Sequence, residues 1–463
     1  MAEGCVLVLD VGKTNAKLSL WTRDGRRLAA LSRANADVDA GDYRALDVDG
    51  VGSWLRGALK ELGRAHRIDA IVPVAHGAAA AIIANNQLAA APMSYETPLP
   101  DAAAYDRARD AFAETGSPRL PNGLNLGAQL HHLPKALLRG DAQILPYPQY
   151  WAWVLSGVGA SEVSSLGCHT DLWRPNARTF SNLAIQSGWA ERFAPLRNAG
   201  DVLGCIRADI AEETGLSRDC AIYCGAHDSN AAFYGARAHP LLKDRDVTVI
   251  STGTWFVAMR APDSQSVALP ALSAERDTLI NVGVDGRLIP SARFMGGREM
   301  EALIGAEDTP MRTPHFARAV APLSVDEVVA SGVMIAPSFA SGVGPFPKSQ
   351  GRWIGGELEG APRRAAAGLY LALLADASLS LIGARDAIVI EGRFADDVSF
   401  LRMLAALRAD CDVYASRAED GVACGALRLI DPSFAPDTTL SRMAAVDGDV
   451  SAYAARWRQY AHT

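Results

Sequence analysis

Asp10 closes the apolar run VLVLD, and Gly12, Lys13, Thr14, Asn15 and Lys17 follow before the apolar pattern resumes. Glycine lets a backbone come close to a ligand, and successive amides at a turn form a cradle for an anion. Threonine and asparagine add donors, and lysine adds positive charge. The carboxylate cannot touch a phosphate directly, because two anions repel. It fits if Mg²⁺ lies between them, since that ion takes one or two carboxylates together with phosphate oxygens and water. The plainer alternative is a hairpin turn with solvated lysines. Ser251, Thr252, Gly253 and Thr254 repeat the theme downstream, although hydroxyl-rich turns are also common without a ligand. Two such turns, one from each half, could grip a polyphosphate in a cleft between domains. A third constellation is Gly225-Ala226-His227-Asp228-Ser229-Asn230. Asp228 there either points into a cleft or caps the helix that follows. His227 is either a substrate ligand or a packed histidine.

These residues need elements to position them. Residues 5 to 10 and 16 to 21 read as strands joined by the GKTN turn, and 26 to 31 as a third strand. VGSWLRGALKELGRAH has helical spacing, and DAIVPVAHG is a buried strand ending at His76 and Gly77. The opening is a β-β-β-α-β pattern, a mixed sheet with helices. Helices are expected near 101 to 115, over 129 to 139, 149 to 156 and GWAERFAPL, and a strand, turn and helix over DCAIYCGAHDSNAAFYGARA. DVTVISTGTWFVAMRA then repeats the opening layout of strand, turn and strand. A long helix near 362 to 384, the strand DAIVIEG ending at Gly392, and the helix DDVSFLRMLAALRA follow. The polar, proline-containing ARAHPLLKDRD is the candidate linker, which predicts domains over 1–238 and 239–463. The fold class is α/β, in two halves, each opened by a hairpin whose turn carries hydroxyl groups and glycine.

Other readings are excluded. GVGPFPKS approaches a phosphate-loop pattern, but Pro347 stands where the second glycine belongs and has no N–H to give. No GxGxxG follows a strand, which disfavours a dinucleotide fold. The 463 residues exceed one ordinary core. With 49% hydrophobic and 21% charged residues and a net charge of -7, the chain reads as a soluble globular protein without a basic face, so nucleic acid is not an expected partner. The seven cysteines are scattered, without a CxxC pair or zinc spacing, as expected of reduced thiols in the cytoplasm. No basic region with an apolar segment and cleavage site stands at the N-terminus, and no apolar run reaches about 18 residues, so no membrane is expected as a partner.

Taken together, the motifs resemble the FGGY family of carbohydrate kinases, within the larger group of actin-like, sugar-kinase and heat-shock ATPases. DVGKTNAKL resembles the first phosphate motif, with Gly12, Thr14 and Lys17 fitting and Lys13 replacing the commoner threonine or alanine. GAHDSNAAFYGA resembles the segment with the catalytic aspartate, which would be Asp228. ISTGTW, with Thr252, Gly253 and Thr254, resembles the second phosphate motif. VIEGRFADDVSFLRMLAAL resembles the adenosine-binding Gly-Gly-Gly turn and its helix; Gly392 is retained, but Arg393 and Phe394 occupy the usual glycine positions. EDGVACGALRLI, with Gly425, resembles the helix that follows. VAHGAAAA places His76 and Gly77 where many relatives contact sugar. SEVSSLGCHTDLW, with Glu162 and His169, is similar to a sugar-side segment of the fuculose and rhamnulose kinase-like branch.

The resemblance implies two ribonuclease-H-like (actin-like ATPase) domains with a cleft between them, sugar on the first and ATP mainly on the second. It implies phosphoryl transfer from ATP to a small sugar, with Asp228 as general base and Asp10 on Mg²⁺. A deoxyketohexose such as fuculose or rhamnulose leads, with a ketopentose close behind, in a monomer or homodimer. The rivals are an actin- or chaperone-like nucleotide switch and a sugar-binding relative that transfers nothing.

Overall fold

The structure is a computed structural model that describes residues 4–264, 269–305, 323–418, 420–446 and 450–461. The chain forms two compact units. The first comprises Met1–Pro240, Ile280–Leu288 and Asp420–Asp437, and the second Leu241–Leu279, Ile289–Glu419 and Thr438–Thr463. The first break, after Pro240, lies inside the segment ARAHPLLKDRD, but the units are discontinuous, because two later segments count with the first unit.

The first unit is built on a mixed sheet. Strand β1 (Cys5–Val11) is apolar along nearly its whole length because both of its faces are covered. It runs antiparallel to β2 (Asn15–Trp21), which runs antiparallel to β3 (Arg27–Ala34). The short pair β4 (Asp37–Asp39) and β5 (Arg44–Leu46) leads to helix α1 (Val48–Ala65). Asp47 caps α1 by accepting from the Gly50 amide at 2.9 Å, and Val51, Leu55, Leu59 and Leu62 form the buried stripe. The chain returns as β6 (Ile68–Ala75), parallel to β1.

Strands β7 (Ala80–Ala84), β8 (Gln87–Ala90) and β9 (Gln143–Pro146) make a small sheet of their own, and β10 (Trp173–Arg174) pairs with β11 (Thr179–Phe180). The main sheet is completed by β12 (Val202–Cys205), β13 (Ala221–Tyr223) and β14 (Ala226–His227), the last two parallel to β6. Its order is β12-β13-β6-β1-β2-β3.

Helices of this unit are α2 (Ala102–Ala108), α3 (Phe112–Thr115), α4 (Leu126–His132), α5 (Tyr147–Ser156), α6 (Val163–Leu166), α7 (Asn182–Gln186), α8 (Ala208–Thr214) and α9 (Asp228–Ala236). Three expectations are corrected. The helix near 101 to 115 is split, because Arg109 leaves the helix to grip Asp171 with two hydrogen bonds of 2.9 and 2.7 Å. The helix over 129 to 139 stops at His132, before Pro134, and only a short 3₁₀ turn follows. GWAERFAPL is not helical; it runs in turns after Gly188, whose φ is 70°.

The second unit repeats the plan. Strand β15 (Val247–Thr252) is antiparallel to β16 (Phe256–Ala261) and parallel to β21 (Ala387–Gly392). With β17 (Thr278–Val282), β18 (Leu288–Phe294), β22 (Asp412–Ser416) and β23 (Leu440–Arg442), the order is β17-β18-β16-β15-β21-β22-β23. Strands β19 (Met334–Ala336) and β20 (Arg352–Ile354) form a separate hairpin. Helices are α10 (Gly296–Ile304), α11 (Leu323–Ser331), α12 (Gly360–Leu381), α13 (Val398–Leu407) and α15 (Val450–Tyr460), while α14 (Gly421–Ile430) belongs to the first unit.

In the first unit β1 pairs antiparallel with β2 and parallel with β6, β2 antiparallel with β3, and β6 parallel with β13; in the second, correspondingly, β15 pairs antiparallel with β16 and parallel with β21, β16 antiparallel with β18, and β21 parallel with β22. That is the ribonuclease-H-like plan, twice. Helix α12 corrects the membrane reading. It is long and apolar enough to cross a membrane by length and composition. Here its most apolar stretch is 78% buried, as the central helix of the second unit's core.

Candidate active site

Register brings two aspartates to one edge of the first sheet. Asp10 lies opposite Val74 of β6, and Ala226 pairs with the same Val74 from the other side. Asp228 follows two residues later, as the first residue of α9. Both carboxylates thus stand at the C-terminal ends of parallel strands, where open α/β sheets bind ligands. Gly225 makes this possible: its φ is 76°, and a Cβ would lie 1.8 Å from the Pro73 carbonyl oxygen.

Burial pushes the Asp10 carboxyl up to about 7, the negative charge of Asp228 adds to the rise, and Lys17 opposes it. The Lys17 ammonium is itself held by Asp420, which also pairs with Arg27. The two aspartates therefore share an excess of negative charge, and a divalent cation beside Asp10 would relieve it. Among the described residues no group of three or more His, Cys, Asp and Glu forms a metal cage. A single carboxylate completed by phosphate oxygens and water suits Mg²⁺ rather than a caged ion.

Asp228 is partly exposed, at 24%. Its Oδ1 accepts from the Ser229 amide at 2.5 Å and from Ser229 Oγ at 3.1 Å, and lies 3.3 Å from His227 Nε2. It does not cap α9; that position falls to His227, which makes no side-chain cap bond. His227 is buried, with Nδ1 2.9 Å from Asn230 Nδ2 and Nε2 3.5 Å from Cys168 Sγ. Burial lowers its pKa, and Asp228 only partly offsets this, so the ring is neutral at pH 7. Gly77 touches the same ring: a Cβ there would come within 2.9 Å of His227 Nε2 and 3.2 Å of Cys168 Sγ.

His76 is buried between Tyr95, edge-on at 5.6 Å, and Tyr147 at 5.0 Å. Its Nδ1 lies 2.6 Å from the Gly77 carbonyl oxygen. A carbonyl only accepts, so Nδ1 carries the proton and Nε2 is left as a buried acceptor without a partner. Burial lowers the His76 pKa, and Asp228, His227 and Lys13 are the nearby charges that act on it. The phenol of Tyr95 is pushed up to about 12 by burial, then by Glu96, Asp228 and Asp37. Tyr95, Tyr147 and Cys168 are residues of this cluster that the motifs did not single out. The histidine of VAHG points to none of them, because their neighbourhood is set by packing rather than by spacing along the chain.

The remaining expected residues fall elsewhere. Glu162 is fully buried and caps α6, accepting from Ser164 N at 2.9 Å, Ser164 Oγ at 2.5 Å and Ser165 N at 3.1 Å. Burial pushes its carboxyl up to about 7 against these bonds. Ser164 Oγ in turn accepts from the His227 amide at 3.3 Å, so Glu162 supports the site from behind instead of lining it. His169 adopts a left-handed turn, φ 42°, with Nδ1 2.9 Å from the Leu124 carbonyl oxygen.

In the first turn, Gly12 N donates to Asn15 O at 2.9 Å, and Thr14 and Asn15 are exposed at the tip. Lys13 is not solvated. Its Nζ reaches Asp37 Oδ1 at 2.5 Å, Ser94 Oγ at 2.8 Å and Glu96 at 3.8 Å.

In the second unit, Thr252 pairs with Gly392 across β15 and β21. Its Oγ1 donates to Glu391 O at 2.5 Å and accepts from Phe394 N at 3.0 Å, so the hydroxyl ties the two turns together. Gly253 and Thr254 are half-buried, and Gly392 and Arg393 are exposed. Gly392 has φ 84°, and a Cβ would lie 2.3 Å from Thr252 O. Phe394, at a usual glycine position, is fully buried and meets Phe256 edge-on at 4.8 Å. Gly425 lies in the first unit instead, where α14 packs on α9: a Cβ would sit 1.8 Å from the Ala231 carbonyl oxygen.

Two ribonuclease-H-like units, with paired aspartates at a sheet edge in the first and a Thr-Gly-Thr turn in the second, define the sugar-kinase and actin-like ATPase class. Residues 244–438 match the family described as carbohydrate kinase FGGY, C-terminal domain. The crystal structure of a carbohydrate kinase from Novosphingobium aromaticivorans is 44% identical, with a TM-score of 0.93, covering 100% of this chain and 99% of that one. A ligand-bound xylulose kinase from Lactobacillus acidophilus shares the fold at 14% identity, TM-score 0.76, covering 99% of this chain and 96% of that one. The L-fuculokinase of Salmonella typhi is 26% identical over 279 residues, 56% of this chain and 57% of that protein. The matched region thus spans little more than half the length of this curated relative. The chain belongs to the FGGY carbohydrate kinases.

Proposed function

We propose that this protein transfers the γ-phosphoryl group of ATP to a hydroxyl of a small ketose. The observation that carries the reading is the placement of Asp10 and Asp228 at one sheet edge, near enough for the charge of Asp228 to help raise the Asp10 carboxyl. Asp228 accepts the proton of the attacking hydroxyl, which raises the nucleophilicity of that oxygen as it approaches phosphorus. His76 Nε2, a buried acceptor, takes a hydrogen bond from a second hydroxyl of the sugar. The amides and hydroxyls of Thr14 and of Gly253–Thr254 hold phosphate oxygens, and Gly392 and Arg393 border the adenosine. Asp10 would hold Mg²⁺, which when bound neutralises phosphate charge.

The substrate we favour is a deoxyketohexose such as L-fuculose or L-rhamnulose, in line with the L-fuculokinase similarity, with a ketopentose second. The protein acts in the cytoplasm as a monomer or homodimer. An ADP-release assay over a panel of ketoses and polyols tests the reading. A kinase turns over with one sugar and needs a divalent cation, and Asp10→Asn impairs that cation-dependent rate. Slow hydrolysis independent of sugar would instead identify a nucleotide switch, and sugar binding without ADP release a non-catalytic relative.

A further inference from the structure

We infer that Asn230 is a positioning residue for the base: acting through the His227 ring, it anchors Asp228 Oδ1 and leaves Oδ2 as the atom that receives the proton. The inference rests on the proposed role of Asp228, but its geometry stands by itself. His227 has one nitrogen facing an amide and the other facing a carboxylate, at 2.9 Å and 3.3 Å. A base ready to accept a proton is an ionised carboxylate, and a carboxylate can only accept hydrogen bonds. The proton of the neutral ring must therefore sit on Nε2. Nδ1 is then an acceptor, and the amide of Asn230 must offer its NH₂ to it.

That orientation leaves Asn230 Oδ1 buried without a partner. An unpaired buried acceptor costs stability, and the arrangement is accounted for if the amide serves the ring. The thiol of Cys168, 3.5 Å from Nε2, is a weak second acceptor on the same side.

The consequence reaches Asp228. Its Oδ1 faces three donors, the Ser229 amide, Ser229 Oγ and His227 Nε2. Among the described residues none donates to Oδ2. Two hydrogen bonds from Ser229 and the ring nitrogen of His227 at 3.3 Å fix the carboxylate plane and occupy Oδ1, so the proton of the sugar hydroxyl goes to Oδ2. Asn230, three residues after the ring it serves and in the first turn of α9, reaches Nδ1 at 2.9 Å.

The test uses full-length protein with ¹⁵N-labelled histidine rings. Of nine histidines, His227 is assigned by the signal lost in His227→Gln. We expect the unliganded protein near neutral pH to show Nε2 protonated and Nδ1 bare. In Asn230→Ala the ring should become a mixture of tautomers, and kcat should fall at least about tenfold with KM for sugar and for ATP little changed. In Asn230→Asp the new carboxylate demands a proton on Nδ1, so Nε2 loses its proton and kcat falls further than in the alanine variant. A wild-type spectrum with the proton on Nδ1 overturns the inference, as does an Asn230→Ala variant with unchanged spectrum and kcat. If the variants fail to fold, the wild-type spectrum still decides. If no sugar is phosphorylated, the proposed function fails while the spectrum judges this geometry separately.

Discussion

Lys13 Nζ lies 2.5 Å from Asp37 Oδ1, and Ser94 Oγ, which Lys13 also reaches, donates to the other oxygen of the same carboxylate at 2.7 Å. The ammonium at the first turn is therefore neutralised by the chain's own acid. It also sits over the Tyr95 ring, 5.6 Å from its centroid, and Tyr95 packs on His76. Lys13 thus links the first turn, through Tyr95, to His76. Replacing it with threonine should raise KM for the sugar by about tenfold and cost about 1–2 kcal/mol of stability, because Asp37 and Ser94 lose their partner. Initial-rate kinetics with each substrate varied decides the point: a rise in KM for ATP alone would return Lys13 to the phosphates.

Asp228→Asn keeps the shape of the side chain and removes its ability to accept a proton. We expect kcat to fall by about 10²–10⁴, while sugar binding by calorimetry and the circular dichroism spectrum stay close to wild type. A variant that retains more than a tenth of the rate shows that another group takes the proton.

Asp10 predicts a pH dependence. Its carboxyl is pushed up to about 7, mainly by burial and then by Asp228. The folded chain thus holds a proton that the unfolded chain has released, over the window from about pH 4 to pH 7, and stability falls as pH rises through it. Asp10→Asn lacks this penalty, so its advantage over wild type should grow across the window, to a ceiling of about 4 kcal/mol. Thermal unfolding in a pH series without divalent cations measures the difference. A constant difference at every pH would show that Asp10 ionises like an ordinary carboxyl. Glu162, pushed up to about 7 as well, gives both proteins the same background slope.

Gly425→Ala should be strongly destabilising even without nucleotide, since a Cβ would stand 1.8 Å from the Ala231 carbonyl oxygen and α14 would have to lift off α9. We expect a loss of about 1–3 kcal/mol or more in urea unfolding. An unchanged midpoint would leave nucleotide contact as the reason for glycine there.

The sequence displayed much of this. The apolar run of β1, the turn after it and the return of the same layout at β15 were legible because buried strands of a mixed sheet read as continuous apolar segments. The place of Asp10 at the end of such a run, and of Asp228 at a strand-to-helix junction, could be read from the residues around them. Less legible was the partner that each polar side chain takes up. Glu162 looked like a ligand, but the serines just after it complete a buried cap. Lys13 reads in the sequence as a phosphate contact, and its ties to Asp37 and Ser94 are hidden there because those residues lie far along the chain. Arg109 broke a helix for the sake of Asp171, which no local periodicity contains. Phe394 looked like a defect in an adenosine turn, yet it is an aromatic anchor of the core.

The placement of α14 has a consequence for how the gene product can be divided. Gly235 and Gly425 face each other so closely that a Cβ on Gly235 would meet the Gly425 amide nitrogen at 2.6 Å. A polypeptide ending at Pro240 would lack that lid of residues 420–437 and leave the groove along α9 open to water. Such a truncated half should be poorly soluble alone and recover when a synthetic peptide of residues 420–437 is supplied in trans.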